Sequence, residues 1–481
     1  MKLLKRIGFI CWVASSAVSA VNAEIVSVEQ TIREVSTNSD EVKRMREDLK
    51  KSKLVIKENW SAVYPKLSGS FYTGISRSLL FGGGGGTSVG ITDEETSDNT
   101  FAKKSVLAKK KSGIDITEIM KDPTKPSNIY SSSASLSVNQ TIYTFGKVGT
   151  ALEVAKQYDS SIICNNIKGI QNLQLLALDG YYSAVLSEKN LSIISRSQDR
   201  KKEVYEFIDR NFKMGSGSKA QLLQAQADLK SSNPEMISAS EIAKITKLNL
   251  AMMIGRDLSD SLQLDTTLTL PGLTSIVLPS KEDAVKAALL NRGDLHAINY
   301  LELAYRNGAK IYRAMYLPSI VASGKTGISQ SVLSKDRKDV FNWSSDNVNS
   351  SVGIVLQWNL FDGFSNSSKA NQYVTDAHKL SITKNSLLKL IEIEIESALS
   401  ECIAADSNQQ ASVEILAAIK ESYELTNDNF KQGSGQYVEL QLAEERLHQA
   451  EIGILIAQYR VLRSRAALQV AMGREIVRVE E

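Results

Sequence analysis

His296, His378 and His448 are the only histidines of the chain, and none stands at metal-ligand spacing from a second ligand. The glycine run FGGGGG at 81–86 is not followed by the Lys-Ser/Thr of a phosphate loop, so it reads as flexible backbone. Three cysteines complete the reactive inventory. Cys11 lies in an apolar N-terminal stretch, after a GFI that makes no convincing lipidation box. Cys164 and Cys402 lie in long segments of helical pattern. Enzyme chemistry finds no footing here, and neither a metal nor another cofactor is expected.

Export is legible instead. Lys2, Lys5 and Arg6, an apolar run from Ile7 to Ala20 and the small-residue site Val21-Asn22-Ala23 make residues 1–23 a signal peptide. The run is too short for the roughly 20 residues of a spanning helix. Its removal takes Lys+Arg from 57 to 54, equal to the 54 acids. The mature chain is formally neutral, so no nucleic-acid partner is expected. A 42% hydrophobic but only 6% aromatic composition suits ordered domains built on long helices.

Those helices are punctuated by a duplicated turn. NFKMGSG begins at Asn211 and NFKQGSG at Asn429. The duplication extends along the chain: Ser27 meets Ser280 and Pro65 meets Pro318 at an offset of 253. Gln140 meets Gln357 at 217, and Gly215-to-Gly433 and Gly255-to-Gly473 match at 218. Two copies of one unit are therefore expected, residues 24–255 and 280–481, joined by a connector over 256–279. The first copy carries 36 extra residues between Pro65 and Gln140, the span that holds FGGGGG, TDEETSD and KKSVLAKKK. It reads as a long solvated loop over about 79–130.

Each copy divides into elements. Pro-free runs from Gly146 to Gly215 and from Gly363 to Gly433 have helical apolar spacing and would each make a rod of about 100 Å. Tips at about 212–218 and 430–436 end them. Gly215 and Gly433 suit a left-handed cap, Ser218 with Gln221 suits a capping box, and Ser434 is the expected second cap. Shorter helices return over about 215–255 and 436–473, with Pro234 expected to kink the first. Continuous helices over 27–62 and 280–315 open the two copies. Strands are expected at about 66–78 and 131–144, and at 318–330 and 349–361. Ten-residue alternating strands suit a membrane barrel, with Tyr64, Tyr316, Trp358 and Phe361 as an interfacial girdle. Four strands cannot close, and lipid does not tolerate an open edge, so several chains must share one barrel. If both rods run the same way from the membrane, Cys164 and Cys402 differ in height by about 30 Å, far beyond disulfide reach.

In this order the residues resemble the TolC-like outer-membrane efflux proteins over nearly all of the mature chain. The likeness rests on YPKLSG and YLPSIVASG entering the strands, QTIYTFG and QWNLFDG leaving them, the paired NFKxGSG tips, and MIGRD and MGRE closing the halves. The resemblance implies a homotrimer with a 12-stranded barrel, four strands per chain, in the bacterial outer membrane, and a long periplasmic α-helical barrel below it. It implies an adaptor-docking tip at Phe212, Gly215, Gly217, Phe430, Gly433 and Gly435, and a tunnel constriction at Glu439, with Leu442 where the family has a second acid. The partners it implies are a periplasmic adaptor and an inner-membrane transporter, in drug efflux or type I secretion. The family's aspartate–arginine lock falls on Gln221 and Gly435 here and is absent. The rival class is a secreted trimeric coiled coil with a structural or adhesive role and no transport.

Overall fold

The computed structural model describes residues 25–78, 127–257, 262–270, 273 and 277–478. The expected signal segment lies outside them, as do most of the long loop and part of the connector. In chain order the elements are β1 (Ile25–Val26), α1 (Val28–Asn38), α2 (Asp40–Trp60), β2 (Lys66–Ser78), β3 (Ser127–Tyr143), α3 (Lys147–Lys213) and α4 (Lys219–Ile254). There follow β4 (Gln263–Leu264), α5 (Lys281–Asn291), α6 (Gly293–Ala314), β5 (Ser319–Leu333), β6 (Val348–Gln357), α7 (Ser365–Lys431) and α8 (Tyr437–Ala471). The order helix, helix, strand, strand, long helix, helix thus occurs twice. The chain divides into two compact units, one from residues 1–50, 160–299 and 382–481, the other from 51–159 and 300–381.

Among the described residues, the regular structure of the first unit is helical apart from the short parallel pair of β1 and β4. Its main core packs Ile32 and Val35 of α1, Leu178 and Val185 of α3, Leu250 and Ile254 of α4, and Leu462 of α8. Tyr181 Oη ties the β1–β4 pair to α3 by donating to the Val26 and Asp265 carbonyls, at 3.0 and 2.8 Å. A second core joins Ala284 and Ala288 of α5 to Ile391, Ile395 and Cys402 of α7. Buried alanines such as Ala177, Ala184 and Ala405 let helices approach closely where they touch.

The opening helix of each copy is not continuous. It breaks at Ser39 in the first copy and at Arg292 in the second, positions 253 apart, where the backbone turns extended (φ −60°, ψ 150° and φ −70°, ψ 118°). Extended dihedrals cannot carry the helical ladder, so a new helix starts after each. Ser39 caps α2 by accepting the Val42 N–H at 3.3 Å. The breaks explain the glycines that close the two halves. A Cβ on Gly255 would lie 3.1 Å from the Asn38 carbonyl oxygen, and one on Gly473 2.7 Å from the Arg292 nitrogen. Both glycines also have positive φ, +80° and +74°.

Pro234 does not break α4, which runs on through it. A proline removes one donor, leaving the carbonyl four residues back without its helical partner. Hydroxyls nearby take up adjacent carbonyls: Ser231 bonds Asp228 O and Ser232 bonds Leu229 O.

The second unit holds an antiparallel sheet ordered β2-β3-β5-β6, with β2 and β6 as open edges. β3 starts at Ser127 and β5 runs to Leu333, both beyond the expected limits, while β6 stops at Gln357, four residues short of the expected end. There the Trp358 indole N–H donates to the Tyr316 carbonyl at 2.8 Å, turning the chain out of the ladder. Alternation and register sort the sheet into two faces. Leu67, Phe71, Leu136, Val138, Ile320, Ala322, Val352, Ile354 and Leu356 share one; Ser68, Ser70, Ser135, Ser137, Lys325, Asn349 and Ser351 share the other. Most of the apolar face is open, with Val352 93% and Ile354 77% exposed, but residues 340–343 lie on one end of it, where Phe71 stacks on Phe341 at 6.4 Å and the Trp343 indole N–H donates to Ser132 at 2.9 Å. In the same unit a tyrosine cluster packs α3, α6 and α7, with Tyr305 and Tyr312 at 5.7 and 5.2 Å from Tyr373. No helix among the described residues is long and apolar enough to cross a membrane.

Candidate docking tip and tunnel constriction

The two turns have the same backbone. In the first, Ser216 N–H bonds Asn211 O at 3.0 Å and Gly215 N–H bonds Phe212 O at 2.9 Å. In the second, Ser434 N–H bonds Asn429 O and Gly433 N–H bonds Phe430 O, both at 3.0 Å. This is the Schellman closure, with the left-handed residue at Gly215 (φ +83°) and Gly433 (φ +80°). Gly217 and Gly435 are glycines for another reason. A Cβ at Gly217 would lie 2.7 Å from the Phe212 nitrogen, and one at Gly435 3.0 Å from the Phe430 nitrogen. A side chain at either position would press on the backbone of the turn's own helix end.

The caps beyond the turns differ from expectation. Ser218 caps α4, but its hydroxyl accepts from Ala220 N–H at 3.3 Å rather than forming a box with Gln221. In the second turn the N-cap is Gln436, not Ser434, whose hydroxyl donates back to the Asn429 carbonyl at 3.0 Å. Glu439 falls at the third position of α8, and its Oε2 accepts the Gln436 N–H at 3.3 Å. Its exposed carboxylate thus already caps a helix. Leu442, one turn on, is 56% exposed.

The duplicated phenylalanines part company. Phe430 is 8% exposed, in a cluster with Ile208, Ala225, Tyr437 and Leu440, its ring 5.8 Å from that of Phe207. Phe212 is 37% exposed, and its neighbour Met214 73%. The turn requires the glycines; the packing of the second copy requires Phe430; no contact accounts for the repeated Asn side chain.

Behind the turns lies a polar layer that joins α3, α4, α7 and α8. Arg200 Nε donates to both carboxylate oxygens of Glu444, at 2.9 and 2.8 Å, and Ser197 donates to the same group at 2.8 Å. Arg200 Nη2 lies 3.5 Å from Glu451, and the guanidinium sits 5.8 Å from the Tyr423 ring centre. Burial pulls the Arg200 pKa down, but Glu444 and Glu451 outweigh it and the group titrates above its ordinary value. Burial, seconded by Glu444, pushes Tyr423 up to about 12. Tyr437 Oη donates to Asp228 at 2.7 Å, Gln441 bonds the same oxygen, and Gln224 reaches Gln441 at 3.1 Å. Burial and Asp228 raise the Tyr437 pKa, so it stays a neutral donor. Arg200, Glu444, Tyr423, Tyr437, Asp228 and Gln441 line a cavity of about 350 Å³ with His448, which stands 3.8 Å from Glu235.

Sequence inspection had not singled out this layer. Its partners lie more than 200 residues apart, and no local spacing joins them. One signal was available: the copies diverge here. At the repeat offset of 218, Tyr437 faces Lys219, Glu444 faces Gln226 and Arg200 faces Ala418. Cys164 and Cys402 are both free thiols, and burial raises the pKa of each.

Comparison with known proteins follows the same lines. Residues 284–474 match the family model described as outer membrane efflux protein. No curated protein matches. Among solved structures the chain is similar to the CmeC outer membrane channel of Campylobacter jejuni, at TM-score 0.70 and 15% identity over 93% of this chain and 85% of that one. It is similar to CusC at 0.69 and 16%, covering 93% and 92%. It is also similar to the open state of the MtrE outer membrane channel of Neisseria gonorrhoeae at 0.65 and 17%, covering 94% and 90%. At such identities the shared property is the fold. The family model matches the second copy, and the fold over nearly the whole chain is that of solved outer-membrane channels such as CmeC and CusC.

Proposed function

We propose that three copies of this chain close one 12-stranded barrel and export substrates received at the paired tips from a periplasmic adaptor and an inner-membrane transporter. The observation that carries the reading is the four-stranded sheet, open at β2 and β6, with one apolar face exposed over most of its area. In lipid every strand edge must be paired, and four strands cannot close on themselves. Pairing β6 of one copy with β2 of the next satisfies both edges and turns Val352, Ile354 and Leu356 to the hydrocarbon. Trp358, Tyr64 and Phe361, all exposed near strand ends, then form the interfacial girdle.

The tips are the entry. Phe212, Gly215 and Gly217 in one turn and Gly433 and Gly435 in the other make the adaptor surface, with exposed Phe212 and Met214 offering its apolar part, while Phe430, expected there from the sequence, is buried and supports the second turn from behind. Glu439 contributes one carboxylate per chain to a constriction that attracts cations. The Arg200–Glu444 and Tyr437–Asp228 links hold the helices behind the tip where the family's lock is missing. The cargo classes this reading covers are drug efflux and type I secretion.

Light scattering on detergent-extracted protein, followed by planar-bilayer recording, tests the proposal. A mass of three chains and discrete conductance steps are expected. A monomer with intact strand signal overturns the shared barrel. A trimer that never conducts overturns transport and favours a secreted coiled coil.

A further inference from the structure

The polar face of the sheet carries a charge pattern of its own. β2, β3, β5 and β6 contain no Asp or Glu; their charged residues are Lys66, Arg77 and Lys325. Register places Arg77 on the apolar face, opposite Asn128 at the far end of β2. Lys325 sits mid-strand on the polar face, in a row that reads Ser68, Ser137, Lys325 and Ser351 across the four strands. The adjacent row reads Lys66, Asn139, Ser323 and Gly353. Two residues along a strand separate the rows, about 6.6 Å. Both lysines are exposed, and neither ammonium has a hydrogen-bond or ion-pair partner among the described residues. Their neighbours on this face are hydroxyls, an amide and glycine, none able to neutralise an ammonium.

We infer that Lys325, backed by Lys66 one row away, makes the strand-lined part of the channel prefer anions. The inference rests on the barrel reading, because an apolar face turned to lipid leaves the lysine face to line the lumen. Three copies then place six ammonium groups in two neighbouring rings on strands that hold no acid. Fixed charges of one sign in a confined aqueous path raise the local concentration of counter-ions and exclude co-ions. This preference is opposite in sign to that proposed for Glu439. Anionic solutes, such as carboxylates and organic phosphates, are the class favoured on the way out.

The test compares the parent channel with Lys325→Ser and Lys325→Glu in planar bilayers under a potassium chloride gradient. Both variants keep a polar side chain on a polar, exposed face, so barrel assembly is expected to survive. The chloride-to-potassium permeability ratio is expected to fall roughly twofold or more at about 0.01 M salt, where the screening length is near 30 Å, and to change little at 1 M, where it is near 3 Å. Lys325→Glu should shift it further than Lys325→Ser. A conducting Lys325→Ser channel with an unmoved low-salt ratio overturns the lysine assignment and leaves the barrel standing. A parent protein that gives no conductance overturns the barrel reading, and this inference with it. A second readout needs no conduction. Ser351→Cys beside Lys325 should react faster with an anionic than a cationic thiol reagent of equal size, read by mass spectrometry of its peptide. That rate ratio should fall several-fold on adding Lys325→Ser; an unchanged ratio overturns the local potential.

Discussion

At the tip, single side chains do two jobs, and tests must separate them. Glu439 combines a carboxylate proposed to face the tunnel with a cap on α8. Glu439→Ala removes both, at a cost of about 1 kcal/mol for the cap alone. Glu439→Gln keeps an acceptor for the Gln436 N–H and removes only the charge. We expect Glu439→Gln to weaken cation block in bilayer recordings while leaving the urea midpoint of helical circular dichroism near that of the parent. Equal block in both channels would return Glu439 to a purely structural role. Arg200 is the other case. Arg200→Leu leaves the nine-tenths-buried Glu444 carboxylate with the hydroxyls of Ser197 and Tyr423 and, among the described residues, no cation in hydrogen-bond contact. Removing one member of a buried pair costs about 3 kcal/mol or more. The denaturation midpoint should fall accordingly, and Glu444→Gln in the same background should recover part of the loss. No recovery would mean that Arg200 acts by packing.

Among the helices, the break at Arg292 concentrates the energetics of the second copy. Its guanidinium, 2% exposed, binds Asp294 at 2.6 Å and also holds Glu394. Burial pushes the Asp294 carboxyl up, but the Arg292 hydrogen bonds and charge outweigh it and hold the carboxyl below its usual range. A depressed folded value stabilises above the unfolded carboxylate's pKa, near 3.9, and that stabilisation is lost as pH falls through the folded value. The urea midpoint should therefore drop as pH goes below about 4, and Asp294→Asn should flatten that drop. An unchanged acid profile in the variant would assign the acid sensitivity elsewhere. Pro234 offers the opposite sign. It sits exposed inside an unbroken helix, so Pro234→Ala restores an N–H for the carbonyl four residues back. A gain of about 1 kcal/mol or more in stability is expected, less than the full ~3 kcal/mol cost of proline because the chain has adapted.

For the assembled channel, the sharpest variants are those that change docking without changing the fold. A Cβ at Gly215 or Gly433 meets nothing within 4 Å. A tryptophan at either position strains one left-handed residue by about 1–2 kcal/mol and otherwise projects into open space. Trimer mass and membrane insertion should survive Gly215→Trp and Gly433→Trp, while export in cells carrying the cognate pump falls to background. Normal export in both would remove the tips from the docking surface. Gly217→Ala and Gly435→Ala are the controls of opposite kind, since their added methyl meets backbone at 2.7 and 3.0 Å and must distort the turn itself.

Much of this architecture was readable before any coordinates. Glycines at positive φ, proline-free runs of helical period and strands of period two are local properties of the chain, and the duplicated motif multiplied each signal. That is why the 67-residue helices α3 and α7, the four strands and both turns stood out. The breaks at Ser39 and Arg292 did not, because Arg does not stop a helix and a single Ser is too common a residue to mark one. What marks each break is a contact that needs a glycine, Gly255 or Gly473 close against the backbone there, from more than 180 residues away. The same holds for Arg200 with Glu444 and for Tyr437 with Asp228, which become partners only when α3, α4 and α8 pack side by side. Local sequence sets the dihedral preferences and hydrophobic period of each element. Which charges meet, and which glycine must stay bare to admit a neighbouring backbone, depends on distances that exist only once the elements have packed.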